Sequence, residues 1–238
     1  MRSKQSAGQV AIVTGASEGI GKAIALNLLQ TGCRVILVSR NETKLNLVLA
    51  GAGKWAQGAW AYPANITISS QVGQMVEAVI QREGRINIVV NNLGQGLRRE
   101  LIDTTDQEWD QLFQINLTSA FYSCRAVLPL MRAQKQGSII NIASRAGRHG
   151  EGQFAAYSAL KYGLVGLTQA LADSEAEFGI RINAVCPGPV ATKQMLERYP
   201  TQEHSNWNTP DEVAQAVLFL LSPAAAPMNG QCLDLFKY

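Results

Sequence analysis

Seven short runs rich in aliphatic and β-branched residues recur along the 238-residue chain, separated by longer stretches with helical periodicity. They are VAIVT (10–14), RVILVS (34–39), AWAYP (59–63), INIVVN (86–91), SIINIA (138–143), RINAVC (181–186) and QCLDL (231–235). Near-continuous apolar strands need cover on both faces, and strands joined through helices run parallel. The alternation therefore predicts an α/β fold, with a doubly wound seven-stranded parallel sheet flanked by helices on both faces.

Local signals mark where the helices begin and end. Ile20, Ala23, Ile24 and Leu28 recur at helical spacing after the first run, and Gly32 follows where the helix would stop. Thr105 with Glu108 and Thr209 with Glu212 read as capping boxes, the second with Pro210 at the first helical position. No repeat or linker interrupts the pattern, so residues 1–238 read as one domain. The stretch 193–208 reads as an irregular excursion, a short substrate lid.

Composition narrows the function classes. A net charge of +3, with lysine and arginine dispersed, lacks the basic stripe of a nucleic-acid binder, so no nucleic-acid partner is expected. The polar N-terminus runs directly into the first strand without a signal-peptide apolar region, and no apolar run reaches membrane-spanning length. The expected location is cytoplasmic, with no membrane partner. Cys33, Cys124, Cys186 and Cys232 lie far apart in sequence, without CxxC or histidine at ligand spacing. They read as reduced, mostly buried thiols with no metal site. His149 and His204 read as ordinary loop residues.

The first strand empties into TGASEGIG, which places Gly15, Gly19 and Gly21 ahead of a helix. Glycines there permit a tight turn and a close backbone approach to a pyrophosphate on the helix N-terminus, the signature of a dinucleotide site. The second strand ends in Ser39 and Arg40 instead of an acidic residue. A cation beside a hydroxyl suits a 2′-phosphate, so NADP (NADPH) is expected over NAD. Glu18, near the same phosphate, and Glu42, within reach of a ribose, oppose that choice.

Tyr157 and Lys161 stand four residues apart in YSALK, on one helix face. An ammonium beside a phenol favours the phenolate, so Tyr157 is expected below its ordinary pKa of about 10, as a general acid or base. Taken in order, TGASEGIG (14–21), NNLG (91–94), Asn116 in the following helix, Ser144 after the fifth strand, YSALK (157–161) and PGPVAT (187–192) resemble the short-chain dehydrogenase/reductase family over nearly the whole length. The resemblance implies a single-domain Rossmann-like fold and NAD(P)-dependent carbonyl–alcohol interconversion. It implies Asn116, Ser144, Tyr157 and Lys161 as a catalytic tetrad, with Tyr157 and Lys161 also among the cofactor contacts, Lys161 on the nicotinamide ribose, and Asn116 on a relay water. It further implies cofactor contacts from Gly15, Ser17, Glu18, Gly19, Ile20 and Gly21 in the loop, and from Ser39 and Arg40. Asn65 and Ile66 would lie at the adenine, Asn92 and Gly94 on the floor, and Pro187, Gly188, Val190 and Thr192 at the nicotinamide end.

Several positions depart from the family pattern. Leu93 replaces the usual alanine, the 193–208 segment is short, and Lys237 and Tyr238 replace a terminal glycine pair. Helix 154–172 is small or apolar nearly all round, so a homotetramer or homodimer packed through it is expected. The 3-oxoacyl-carrier-protein reductase group is the nearest pattern, making an acyl thioester the first candidate substrate. Arg98, Arg99, Arg132 and Lys135 would then meet an acyl carrier protein, although the acidic stretch DSEAE (173–177) opposes this. A carbonyl reductase or alcohol dehydrogenase for a small-molecule ketone, sugar or secondary metabolite is the alternative, and a non-catalytic NADP-binding sensor or scaffold the more distant one.

Overall fold

A computed structural model describes residues 7–236. The Lys237–Tyr238 departure and the first six residues lie outside the described residues.

Seven parallel strands form one sheet: β1 (Val10–Thr14), β2 (Arg34–Ser39), β3 (Ala59–Pro63), β4 (Ile88–Asn91), β5 (Gly137–Ile142), β6 (Ile180–Pro187) and β7 (Cys232–Leu235). Their spatial order is β3-β2-β1-β4-β5-β6-β7. The order reverses between β1 and β4, which pair in parallel through Ala11–Ile88, Ile12–Val89 and Val13–Val90. A crevice opens at the carboxyl ends of the strands at such a switch point.

Side-chain alternation along the strands divides the core in two. Ala11 and Val13 of β1, with Val35 and Leu37 of β2, face one layer, against α1 (Gly19–Gln30), α2 (Glu42–Gly51) and α8 (Pro210–Leu221). Val10 and Ile12, with Ile36 and Val38, face the other, against α3 (Ser69–Glu83) and α5 (Ser119–Gln134). Both capping boxes form, at Thr105 for α4 (Asp106–Phe113) and at Thr209 for α8. Helix α6 spans Ala155–Glu175, three residues beyond the expected end.

Two expectations are corrected. The 193–208 stretch is not irregular throughout: Thr192 caps Met195 at 3.3 Å and starts a short helix, α7 (Lys193–Arg198). Asn116 does not lie in a regular α-helix. Residues 114–118 form a π-helical turn between α4 and α5. Among the described residues no helix is long and apolar enough to cross a membrane.

Candidate active site

The glycine loop leaves β1 through Gly15, at φ +64°, and enters α1 through Gly19, at φ +54°. A Cβ on Gly21 would stand 2.2 Å from the Gly15 carbonyl oxygen, so only glycine lets the helix close on the loop. The Asn92 amide locks the turn from β4, donating to the carbonyls of Thr14 at 3.0 Å and Gly15 at 3.2 Å. Asn92 thus holds the loop's shape besides lining the cavity beneath it. Glu18 makes no side-chain cap on α1, whereas Asn41, Thr105, Thr192 and Thr209 cap their helices. The opening N–H groups of α1 therefore keep their attraction for an anion.

A cavity of about 1310 Å³ runs from this loop across the strand ends. Ser39, Arg40, Asn65 and Ile66 line its one end, and Ser144, Tyr157 and Lys161 its other, with Pro187, Gly188, Val190 and Thr192 alongside. Asn65 Oδ1 accepts from the Thr67 hydroxyl at 2.8 Å, which fixes its orientation at the adenine end. The residues present fit a dinucleotide: a turn closed by glycine, an uncapped helix start, and a long cleft with a cation at its outer end. Leu93 lines the cleft and packs on the core layer beneath it, so it serves both.

The four candidate catalytic residues arrive from three elements. Lys161, from α6, is 2% exposed and donates to the Ile142 carbonyl at the end of β5 at 3.0 Å. Its nitrogen lies 5.7 Å from the Tyr157 ring centre. Ser144, just beyond β5, accepts from Ala146 N–H at 3.1 Å and shares a hydrogen bond with Tyr157. Asn116 is 1% exposed, and its amide donates to the Gln95 and Leu112 carbonyls at 2.9 and 3.1 Å. The π turn aims it this way, because one extra residue in the turn rotates the following side chains out of the ordinary register. Gly94 is the meeting point: a Cβ there would stand 3.1 Å from the Lys161 nitrogen and 3.2 Å from Asn116 Oδ1.

Electrostatics here differ from the expectation. Burial pushes the Tyr157 hydroxyl above its ordinary range, the Ser144 hydrogen bond opposes this, and the Glu151 carboxylate adds to it. Lys161 is not the dominant influence; its own ammonium is pushed down by burial to about 8. A neutral phenol is therefore the resting form, ready to give a proton.

A family described as short chain dehydrogenase matches residues 9–203. The chain belongs to that family. As a short chain dehydrogenase it is an oxidoreductase, and several proteins similar to it are named as reductases. It is 37% identical over 234 residues to a 3-oxoacyl-(acyl-carrier-protein) reductase of Synechocystis sp., covering 95% of each chain. It superposes on a crystal structure of an actinorhodin polyketide ketoreductase variant with NADPH at TM-score 0.90 and 32% identity, over 99% of this chain and 98% of that one. A 3-ketoacyl-(acyl-carrier-protein) reductase from Brucella melitensis, complexed with NADH, gives TM-score 0.89 and 27% identity over 97% and 98%.

Lys44, which no sequence motif singles out, lines the cavity beside Arg40 and ion-pairs with Glu18 at 2.9 Å. Glu18 thus faces a lysine and does not stand as an unopposed charge against a phosphate. The only available signal was spacing: Lys44 falls in the first turn of α2, directly after the strand end that carries Arg40. Two surface expectations also change. Arg132 is engaged by Glu175 at 2.6 Å, and Glu175, in the middle of DSEAE, is 2% exposed. Arg99 pairs with Glu108 at 3.1 Å, and Arg98 donates to Gln153 at 2.7 Å.

Proposed function

We propose that the chain is an NADPH-dependent ketoreductase in which Asn116, Ser144, Tyr157 and Lys161 act together, and that its substrate is a 3-oxoacyl thioester or a similar ketone. The observation that carries this is that Ser144, Tyr157 and Lys161 line one end of a cleft whose other end is a glycine-loop dinucleotide site, with Asn116 buried behind them and meeting Lys161 at Gly94. Bound in that cleft, NADPH would supply the hydride for the carbonyl carbon. Tyr157 gives its proton to the carbonyl oxygen, and Ser144 hydrogen-bonds the same oxygen, most strongly as charge develops on it. Lys161, fixed by the Ile142 carbonyl and near the Tyr157 ring, would hold the cofactor's nicotinamide ribose. Asn116, held on the Gln95 backbone, positions the relay that replaces the proton.

Arg40 and Lys44 favour the 2′-phosphate, in keeping with the NADPH of the actinorhodin relative. The NADH of the Brucella relative pulls the other way, so the choice rests on these two cations. A carrier-bound substrate draws support from the names of the relatives. A small ketone is favoured by one observation: Arg132, an expected docking cation, is committed to Glu175. Tyr162 on α6 and Phe121 on α5 are 46% and 41% exposed, which supports a homodimer or homotetramer packed through these helices.

The test follows NADPH oxidation with a panel of 3-oxoacyl thioesters and small ketones. Turnover with higher kcat/KM for thioesters supports the acyl assignment, and a preference for free ketones supports the alternative. No turnover with any carbonyl would overturn both.

A further inference from the structure

Cys186 and Cys232 stand on the neighbouring strands β6 and β7. Strand pairing sets Ala184 opposite Cys232 and Cys186 opposite Asp234. The two cysteines are thus offset by one two-residue step, and their side chains leave the sheet on the same face. Both pack into the apolar cluster beneath α6, with Ala184, Leu164 and Val165. Their thiols are near enough to interact, with Cys186 as donor toward the Cys232 sulfur.

The charged groups around the pair come from three elements. Arg148, from the loop after β5, pairs with Asp234 of β7 at 3.1 Å, and Lys161 of α6 faces Cys186. The hydrogen bond from Cys186 and the Arg148 guanidinium stabilise a thiolate on Cys232, against burial and the Asp234 carboxylate. Cys186, as the donor and fully buried, is pushed the other way. Cys124 is a useful contrast: burial alone pushes its thiol up to about 12, the inert kind.

We propose that Cys186 and Cys232 form a dithiol site that hydrogen peroxide closes to an intramolecular disulfide, with Cys232 as the attacking sulfur. The Cys232 thiolate attacks one peroxide oxygen; an S–O bond forms, the O–O bond breaks, and hydroxide leaves to be protonated to water. Cys186 then loses its proton and its sulfur displaces the hydroxyl from Cys232, forming the S–S bond and releasing a second water. Two thiols are oxidised by two electrons, and one peroxide is reduced to two waters.

Closure bears on the cofactor cleft through short links. The Leu235 carbonyl of β7 accepts from Gly188 N–H at 3.0 Å and from the Asn208 amide at 2.8 Å, and Cys186 directly precedes Pro187. Drawing the sulfurs to a bond of about 2.05 Å shifts β7 against the 187–192 loop. The thiol chemistry goes beyond the ketoreductase proposal and does not depend on it.

The test treats the full chain with hydrogen peroxide, blocks remaining thiols with iodoacetamide, and measures intact and peptide masses. Expected is a loss of about 2 Da with Cys186 and Cys232 joined within one chain, reversed by dithiothreitol. Cys232→Ser abolishes the link, and Cys186→Ala leaves a sulfenic acid on Cys232 that dimedone traps. Wild-type protein with both thiols still alkylated after peroxide, or with Cys232 joined to a second copy, would overturn the proposal without any variant having to fold. NADPH affinity of the oxidised chain should fall and return with reductant. An unchanged affinity in fully linked protein would overturn the connection to the cofactor loop while leaving the ketoreductase assignment intact.

Discussion

Replacing Gly94 with alanine inserts one methyl group between the two side chains that meet at the back of the cleft. Its carbon would lie 3.1 Å from the Lys161 nitrogen and 3.2 Å from Asn116 Oδ1, so both must give by a few tenths of an ångström. Neither is loose: Lys161 donates to Ile142 at 3.0 Å, and Asn116 Oδ1 accepts from Gln95 N–H at 3.1 Å. Misplacing catalytic groups by 1 Å costs up to about a hundredfold in rate, so a few tenths corresponds to roughly three- to tenfold, about 1 kcal/mol in the barrier. Fold stability should hardly move, because Gly→Ala also restricts the unfolded chain by about 0.4–1 kcal/mol, offsetting the tight contact. Gly96, two residues on, meets nothing within 4 Å of its added carbon and is the matched control. The assay is kcat for NADPH-linked ketone reduction beside a thermal melt. Gly94→Ala should lose activity at wild-type melting temperature, and Gly96→Ala should lose neither. Equal activity in the two variants would refute the reasoning.

Further outcomes follow from the same geometry. Arg40→Ala and Lys44→Ala should each lower the NADPH/NADH ratio of kcat/KM by about tenfold, as expected for a lost charged hydrogen bond, while Glu18→Gln should raise NADPH affinity by freeing Lys44; unchanged ratios would show that neither cation reads the phosphate. Because burial pushes the Lys161 ammonium down to about 8, it is charged below that pH and neutral above it, so kcat/KM for reduction should fall as pH passes about 8; a flat profile to pH 10 would contradict this. Leu28→Ala empties a fully buried position on α1 and should cost about 3 kcal/mol in urea unfolding, and a loss under about 1 kcal/mol would show that the α1 layer repacks.

Much of the fold was legible in the sequence because its strands are buried on both faces and so read as apolar runs. The differences at strand ends have local causes. β4 begins at Ile88 instead of Ile86, since the Ile86 N–H is taken by the Gln134 side chain at 3.3 Å. The π turn at 114–118 was hidden, as α4, the turn and α5 form one continuous helical path and a single added residue leaves the surrounding periodicity nearly intact. The members of the candidate site were legible through their order along the chain, but their electrostatics were not. Tyr157 and Lys161 are adjacent on a helix, which suggests charge coupling; burial, set by the packing of distant elements, dominates both groups instead. The same applies to Glu175, whose acidic neighbours read as surface while tertiary packing buries it against Arg132. The role of Lys44 is not legible in the sequence because it depends on α2 folding back beside the glycine loop.

The central claim is that the Tyr157 hydroxyl supplies the proton that makes ketone reduction possible. The most direct measurement is single-turnover hydride transfer in Tyr157→Phe loaded with NADPH, with cofactor affinity read by fluorescence in the same samples. The account predicts a wild-type NADPH dissociation constant and a rate lower by about 10²–10⁴, the usual contribution of a positioned acid. A transfer rate within about threefold of wild type would contradict it, because loss of a positioned acid removes at least about a hundredfold.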